Sequence, residues 1–401
     1  MRFDRVRRVI FVPLLVASLC VGAAVQGERP AGEPPTLDAL SIADVPVTPP
    51  PVPLLWRIRG EHGSLFLLGS FHFLKPTDYP LSGDIDLALA RAGDVVFELA
   101  PGEMASPTLA TQMMQAGLRS DGSRLDDELP VETRAALAGW VQTNLPRLQA
   151  LGMSAQTLQL FEPWFASLIL TTTELGRYGL EPALGLDANL GRQATDAGKP
   201  TAGLETAGQQ IEFFDGMGRV EQVQMLQEAL TQTDAGQAEI ERLHSAWRSG
   251  DAETLWAQMA VDMRARFPAL YARINTERND AWLPKLEQML QETGDTLVVV
   301  GALHLLGEDG VVDKLAAKGY TVERVCTVCV MPPAEAPVTT PADTRVADAV
   351  PTAETPAQTS AIPIVDMPAP TAYPTIAFPS VDAPEPEDNA SVPPAENDFE
   401  R

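Results

Sequence analysis

Two copies of one short pattern, an apolar run that ends in Gly-x-x-His, constrain the fold more than any other feature of the sequence. In the first copy, residues 64–68 (SLFLL) lead into GSFH at 69–72; in the second, residues 296–300 (TLVVV) lead into GALH at 301–304. Two of the four histidines of the chain stand at these equivalent positions. A glycine at a strand end lets the backbone turn without a Cβ in the way, and the loop that follows is held by a rigid sheet. We therefore expect two strands whose ends meet, so that both imidazoles share one polar site.

Two carboxylates stand at similar places in other apolar segments. Glu98 lies in DVVFEL at 94–99, and Glu205 ends a short predicted strand that follows the helix-stopping Gly198. A carboxylate in a buried strand is costly unless it is paired or bound. The residues alone leave a second interpretation of Glu98 open, in which it lies at an exposed strand end or pairs with an arginine.

This set of side chains suits a divalent metal ion. Neutral imidazoles and carboxylates are ordinary ligands of catalytic divalent ions that keep an open position. We expect His72 and His304 to hold the ion with Glu98 as a third ligand, while Glu205 acts as general base or as a further ligand. Such an ion polarises a carbonyl group and lowers the pKa of a water molecule toward about 7, so metal-assisted hydrolysis is the chemistry that the pattern indicates.

Arg278 and Asn279 are the candidates for holding a substrate or an oxyanion, because arginine presents a rigid fork to carboxylates. The alternative for Arg278 is an ion pair on a helix surface. Other catalytic classes lack their motifs: the chain has no Gly-x-Ser-x-Gly elbow, no Walker loop and no Gly-x-Gly-x-x-Gly. His244 stands among charged residues on a predicted helix, and we expect it at the surface.

The sequence divides into four segments. Residues 1–25 have a basic start and an apolar stretch and are predicted to be a secretory signal peptide; an uncleaved membrane anchor is the alternative. Residues 26–53 are a Pro-rich linker, 54–330 a mixed α/β domain with many helices, and 331–401 a disordered, acidic, Pro-rich tail. Within the domain, the strand–helix–strand pattern over 296–325 predicts parallel strands.

Composition and charge limit the partners and the compartment. The chain carries 29 Lys and Arg against 54 Asp and Glu, a formal net charge of −25, which argues against nucleic acid as a partner. A cleaved signal predicts a periplasmic or secreted protein with no membrane span. Only Cys326 and Cys329 then remain, and in an oxidising compartment they are expected to form a local disulfide or to stay as two free thiols. The oligomeric state cannot be predicted from the sequence.

The two corners belong to a longer series of short motifs in a fixed order. The series is LGSFH (68–72), FEL (97–99), GLD (185–187), GKP (198–200), GLET (203–206), ERN (277–279) and VGALHLLG (300–307). It resembles the TraB/GumN (TraB/PrgY) family over about residues 54–327. That family is similar to the Tiki metalloproteases of animals, which share paired Gly-x-x-His motifs and a required glutamate, and more distantly to the ChaN and erythromycin-esterase-like fold.

The resemblance implies a mixed β-sheet flanked by helices and metal-dependent cleavage of a peptide or protein substrate. It implies manganese or cobalt as the ion, and zinc stays open because it takes the same ligands. The alternatives to an enzyme are a non-catalytic protein that binds a peptide or a metal in the same pocket, and an interaction protein of the cell envelope that uses its tail.

Overall fold

The structure is a computed structural model, and it describes residues 49–329, with the side chains of 234 and 235 excepted. The predicted signal peptide, the predicted linker up to residue 48 and the predicted tail lie outside the described residues.

Six strands form one mixed sheet in the described part of the chain. They are β1 (Leu55–Arg59), β2 (Ser64–Ser70), β3 (Asp94–Leu99), β4 (Thr201–Glu205), β5 (Thr296–Gly301) and β6 (Thr321–Arg324). Their order across the sheet is β4-β3-β5-β2-β1-β6. Strands β4, β3, β5 and β2 are parallel neighbours, whereas β1 is antiparallel to both β2 and β6. This confirms the predicted mixed α/β fold, and it places the carboxyl ends of four adjacent strands at one edge.

The last two strands run in the same direction, as the strand–helix–strand pattern predicted. They are not neighbours, however, because β2 and β1 lie between them. Strand β6 joins the sheet at the far side of the β1–β2 hairpin, where it pairs with β1.

Helices surround the sheet. The first eight are α1 (Gly83–Arg91), α2 (Pro101–Met104), α3 (Pro107–Gly117), α4 (Leu125–Glu128), α5 (Val131–Ala150), α6 (Ala155–Leu158), α7 (Pro163–Arg177) and α8 (Leu186–Asp196). The remaining helices are α9 (Ala207–Asp215), α10 (Arg219–Ala235), α11 (Gln237–Ser249), α12 (Ala252–Trp256), α13 (Asp262–Arg266), α14 (Pro268–Tyr271), α15 (Glu277–Gln291) and α16 (Val311–Ala317). Wide π-helical turns span Ala257–Val261 and Ala272–Thr276.

The two faces of the sheet bury alternate side chains of the same strands. On β5, Val298 and Val300 belong to a smaller core with α15 and α16, while Leu297 and Val299 belong to the larger core that the other helices build. All four side chains are at most 1% exposed, and burying each contributes about 1.5–3 kcal/mol. A strand with both faces covered is rigid, and this fixes the position of the loop that follows it.

Cys326 and Cys329 form a disulfide directly after β6. Of the two states expected for this pair, the structure contains the disulfide. Among the helices of residues 49–329, none combines the length and the apolar character that crossing a bilayer requires.

Candidate metal site at the strand ends

The two Gly-x-x-His corners meet because β2 and β5 are parallel neighbours. Their register places Ser70 opposite Gly301, so both strands end at the same level and both loops begin at the same edge. Strand β3, which carries Glu98, lies on the other side of β5, and β4, which ends at Glu205, lies beyond it. Carboxyl ends of parallel strands are the usual place for a ligand site in an open α/β sheet. The four strand-end side chains predicted from the sequence thus lie together, and none is more than 6% exposed.

His72 is held by a carboxylate from α8. Its Nδ1 lies 2.8 Å from Asp187 Oδ1, which also accepts a 2.8 Å hydrogen bond from Ser70 Oγ. The start of α8 can approach this closely because Gly185 lacks a side chain: a Cβ there would lie 2.2 Å from the carbonyl oxygen of His72. Burial lowers the pKa of His72, but the charge of Asp187 and its hydrogen bond raise it by more, so the net shift is upward.

The other ring nitrogen of His72 lacks a hydrogen bond. His72 Nε2 is buried, and no side chain or backbone group of residues 49–329 forms a hydrogen bond with it. Because the Asp187 carboxylate accepts the proton on Nδ1, Nε2 carries the lone pair in the neutral imidazole. A buried lone pair without a donor calls for an explanation, and a bound ion would supply one.

His304 is oriented in the same way from α15. Its Nδ1 lies 2.7 Å from Asn279 Oδ1, and the Asn279 amide is fixed in turn because its Nδ2 donates to the Asp309 carbonyl at 2.7 Å. Nδ1 therefore carries the proton, and Nε2 carries the lone pair. Burial, assisted by the nearby Arg278, lowers the pKa of His304 to about 3, so this imidazole is neutral at physiological pH.

Glu98 faces both imidazoles with a single oxygen. Glu98 Oε1 lies 3.9 Å from His72 Nε2 and 3.9 Å from His304 Nε2, and it accepts a 2.6 Å hydrogen bond from the Gly301 N–H. Burial raises the pKa of Glu98, but the charge of Arg278, the two neighbouring imidazoles and the Gly301 N–H lower it by more, so the group is an ionised carboxylate.

The guanidinium of Arg278 connects the two glutamates. It donates from Nε and Nη2 to Glu205 at 2.7 and 2.6 Å, and from Nη2 to Glu98 at 2.8 Å. Trp282 Nε1 donates a further 2.8 Å bond to Glu205. Arg278 is 1% exposed and Asn279 is fully buried. Arg278 contacts the two glutamates and Asn279 contacts His304. Their predicted role of holding a substrate or an oxyanion stays a prediction.

These residues fit a divalent ion in three respects. Two ligands that are each about 2.1 Å from one ion are at most about 4.2 Å apart, and the 3.9 Å separations lie within that limit. Each imidazole has its Nδ1–H held by an oxygen and its Nε2 turned inward, as ligating histidines do. The space beside them exists because Gly301 has no side chain: a Cβ there would lie 3.2 Å from Glu98 Oε1 and 3.4 Å from His72 Nε2.

The formal charge of the site also suits a dication. Its three carboxylates and one guanidinium sum to −2 when both imidazoles are neutral. The carboxylates come from Glu98, Asp187 and Glu205, and the guanidinium comes from Arg278. Within residues 49–329, no group of three or more His, Cys, Asp or Glu side chains is found that could hold a metal ion as the side chains are placed.

Sequence reasoning missed two contributions to the site and misplaced one histidine elsewhere. Asp187 belongs to the GLD motif, yet nothing local showed that it would reach His72. Trp282 lies one turn after Arg278 and serves as a donor to Glu205. His244 was expected at the surface, which was wrong: it is 7% exposed and its Nε2 lies 2.8 Å from Asp78 Oδ2.

A sequence model of the TraB/PrgY/gumN family matches residues 54–324, about two thirds of the chain and all six strands of the sheet. The chain belongs to the TraB/PrgY/gumN family. The match includes both corners and every side chain of the candidate site, which confirms the family that the motif series indicated.

Among curated proteins, the chain is similar to the uncharacterised protein YbaP of Escherichia coli (strain K12) and to that of Shigella flexneri. Each is 27% identical over 161 residues, which is 40% of this chain and 58% of the relative. The match thus spans less than two thirds of the length of these relatives. No solved structure matches this chain.

Proposed function

We propose that this TraB/PrgY/gumN protein is an exported, metal-dependent hydrolase whose substrates are peptides or proteins. One observation carries the proposal: two imidazoles from separate corners point their Nε2 atoms at the same carboxylate oxygen, each at 3.9 Å. The peptide class comes from the resemblance to the Tiki metalloproteases, while the metal dependence is argued from the donor set itself.

In this proposal His72, His304 and Glu98 hold the ion, which when bound polarises a carbonyl and activates water. Asp187 and Asn279 keep each imidazole in the tautomer whose Nε2 carries the lone pair. Glu205 is the general base or a further ligand, and Arg278 holds it 2.6–2.7 Å away through two parallel bonds. The neutral state of His304 means that no proton has to leave it before an ion can bind.

Export is supported by the predicted signal peptide and by the disulfide between Cys326 and Cys329, because such bonds persist in oxidising compartments. We propose the periplasm or the exterior of a bacterial cell as the location.

A second candidate function is metal binding without turnover. It is favoured by burial: the side chains of the site are at most 6% exposed, so a peptide reaches them only if part of the cover moves. In this case an ion would stabilise the fold, but no peptide would be cleaved with any metal.

The test compares metal content and peptide cleavage for the wild type, His304→Ala and His62→Ala. His62 is an exposed turn residue, so its variant is a matched control for the loss of an imidazole. We expect one equivalent of ion and turnover in the wild type and in the control, and neither in His304→Ala. Equal metal content in all three proteins would contradict the metal site, while metal binding without turnover would select the second function.

A further inference from the structure

We propose that Arg278 competes with the metal ion for His304. In the ion-free protein its guanidinium donates a hydrogen bond to His304 Nε2, and this bond must break before Nε2 can bind an ion. This inference rests on the proposed metal site and concerns how the occupancy of that site is controlled. The inference follows from the position of the guanidinium, which contacts two of the proposed ligands, His304 and Glu98.

The competition follows from the chemistry of one nitrogen. His304 Nδ1 carries the ring proton because it donates to Asn279 Oδ1, so Nε2 has a single lone pair. Arg278 Nη1 lies 3.1 Å from that nitrogen and has only N–H groups to offer. A lone pair that accepts this hydrogen bond cannot also be donated to a metal ion. The two imidazoles therefore differ in the ion-free protein, since no hydrogen-bond donor in the described part of the chain reaches His72 Nε2, whereas His304 Nε2 accepts the bond from Arg278.

Charge adds to this competition. The guanidinium compensates the carboxylates of Glu98 and Glu205, which are the same charges that a dication would compensate. It is held in place by the rings of Phe213 and Trp282, whose centroids lie 5.2 and 4.9 Å from its central carbon. An ion entering the site thus meets a fixed positive charge, and it binds more weakly than the same ligands would bind it without the arginine.

Arg278 Nη1 already has a second acceptor. It donates a long hydrogen bond of 3.5 Å to the carbonyl oxygen of Ile274, which belongs to the π-helical turn Ala272–Thr276 just before α15. Nη1 carries two N–H groups, so the bond to Ile274 and the bonds to the two glutamates can persist when an ion binds the His304 lone pair. The N–H that pointed at His304 then loses its acceptor, and a buried donor without an acceptor adds to the cost of ion binding.

The test measures Mn²⁺ binding to the full-length protein by calorimetry at pH 7.5, with cleavage playing no part. We expect Arg278→Ala to bind Mn²⁺ at least about tenfold more tightly than the wild type, a change of about 1.4 kcal/mol. Added ethylguanidinium should refill the vacated space and return the affinity to the wild-type value. Arg266→Ala is the matched control, because Arg266 also pairs with a buried glutamate, Glu228, at 2.9 Å, and its loss should leave Mn²⁺ binding unchanged.

A charge-preserving variant separates lone-pair competition from the general effect of charge. Lysine keeps the positive charge but lacks the fork, so Arg278→Lys cannot hold both glutamates and still reach His304. We expect it to bind Mn²⁺ more tightly than the wild type as well, and it serves as the primary variant if Arg278→Ala does not fold.

Each other outcome has a distinct meaning. Unchanged or weaker Mn²⁺ binding in both Arg278 variants would show that the arginine supports the ligands, which overturns this inference and leaves the metal site standing. No detectable binding in any of the proteins would overturn the proposed metal site and this inference together.

Discussion

The space between the ligands depends on the absence of one methyl group, and Gly301→Ala tests that dependence. The backbone of Gly301 has φ −51° and ψ 136°, which alanine adopts without strain. The new Cβ would lie 3.2 Å from Glu98 Oε1, 3.4 Å from His72 Nε2 and 3.6 Å from His304 Cδ2. An ion within about 2.1 Å of both ligand atoms would be in contact with this methyl group.

The expected magnitude follows from those distances. Overpacking costs about 1–3 kcal/mol, and here it falls mainly on the ion-bound state, so we expect the affinity for Mn²⁺ to fall about 5- to 150-fold. The ion-free protein should change in stability by less than about 1 kcal/mol, because the contacts at 3.2–3.6 Å need only small shifts and alanine gains about 0.4–1 kcal/mol through the unfolded state.

Gly69→Ala is the matched control at the equivalent corner. Its Cβ would meet Ala302 Cβ at 3.2 Å and Leu54 Cβ at 3.4 Å, so the crowding is similar but involves no polar atom of the site. Calorimetry with Mn²⁺ and urea unfolding of both variants provide the measurements. Wild-type affinity in Gly301→Ala, or an equal loss of affinity in Gly69→Ala, would refute the position that we assign to the ion.

Three further predictions follow from the hydrogen bonds around the site and beneath it. Asp187→Asn removes the charge that raises the pKa of His72, so the pKa measured by NMR titration should fall, and metal affinity should drop about 10- to 100-fold; an unchanged pKa would contradict the contact. Burial raises the pKa of Asp78, but its hydrogen bonds lower it by more. The ionised carboxylate therefore stabilises the folded protein above the unfolded pKa of about 3.9, and this stabilisation is lost as the pH falls through the lower pKa of the native state. Asp78→Asn should therefore lower the urea stability at pH 7 and flatten its decline below pH 5, whereas an acid limb parallel to that of the wild type would contradict this. Trp282→Phe keeps an aromatic ring but loses the donor to Glu205 and part of the buried indole volume, and it should cost at least about 1.5–3 kcal/mol of unfolding free energy, a figure that urea unfolding can check.

The convergence of the strand ends could be predicted from the sequence because it depends on local patterns. Apolar runs identify the strands, and the carboxyl ends of neighbouring parallel strands share one edge. The carboxylates of Glu98 and Glu205 then lie at the same edge as His72 and His304, because the strands and not the helices determine their positions. The family motifs give the same set of residues.

The residues that act through the helices could not be found in this way. Whether Asp187 reaches His72 depends on how α8 docks, and this is decided by the close approach at Gly185 and not by any periodic pattern. The prediction for His244 was wrong because charged neighbours suggested an exposed face, while Leu243 and Trp247 on the same helix turn that face into the larger core. Local charge is a weak guide where a distant carboxylate can pair with the side chain.

The most direct test of the central claim is X-ray absorption spectroscopy of the protein loaded with one equivalent of Mn²⁺ or Co²⁺, with His304→Ala measured beside it. If the two corners share one ion, the wild-type spectrum will show two imidazole ligands together with carboxylate oxygen, and the variant will show one imidazole or no bound metal. A loaded wild type whose ion is surrounded by oxygen alone, or identical spectra from the two proteins, would contradict the claim.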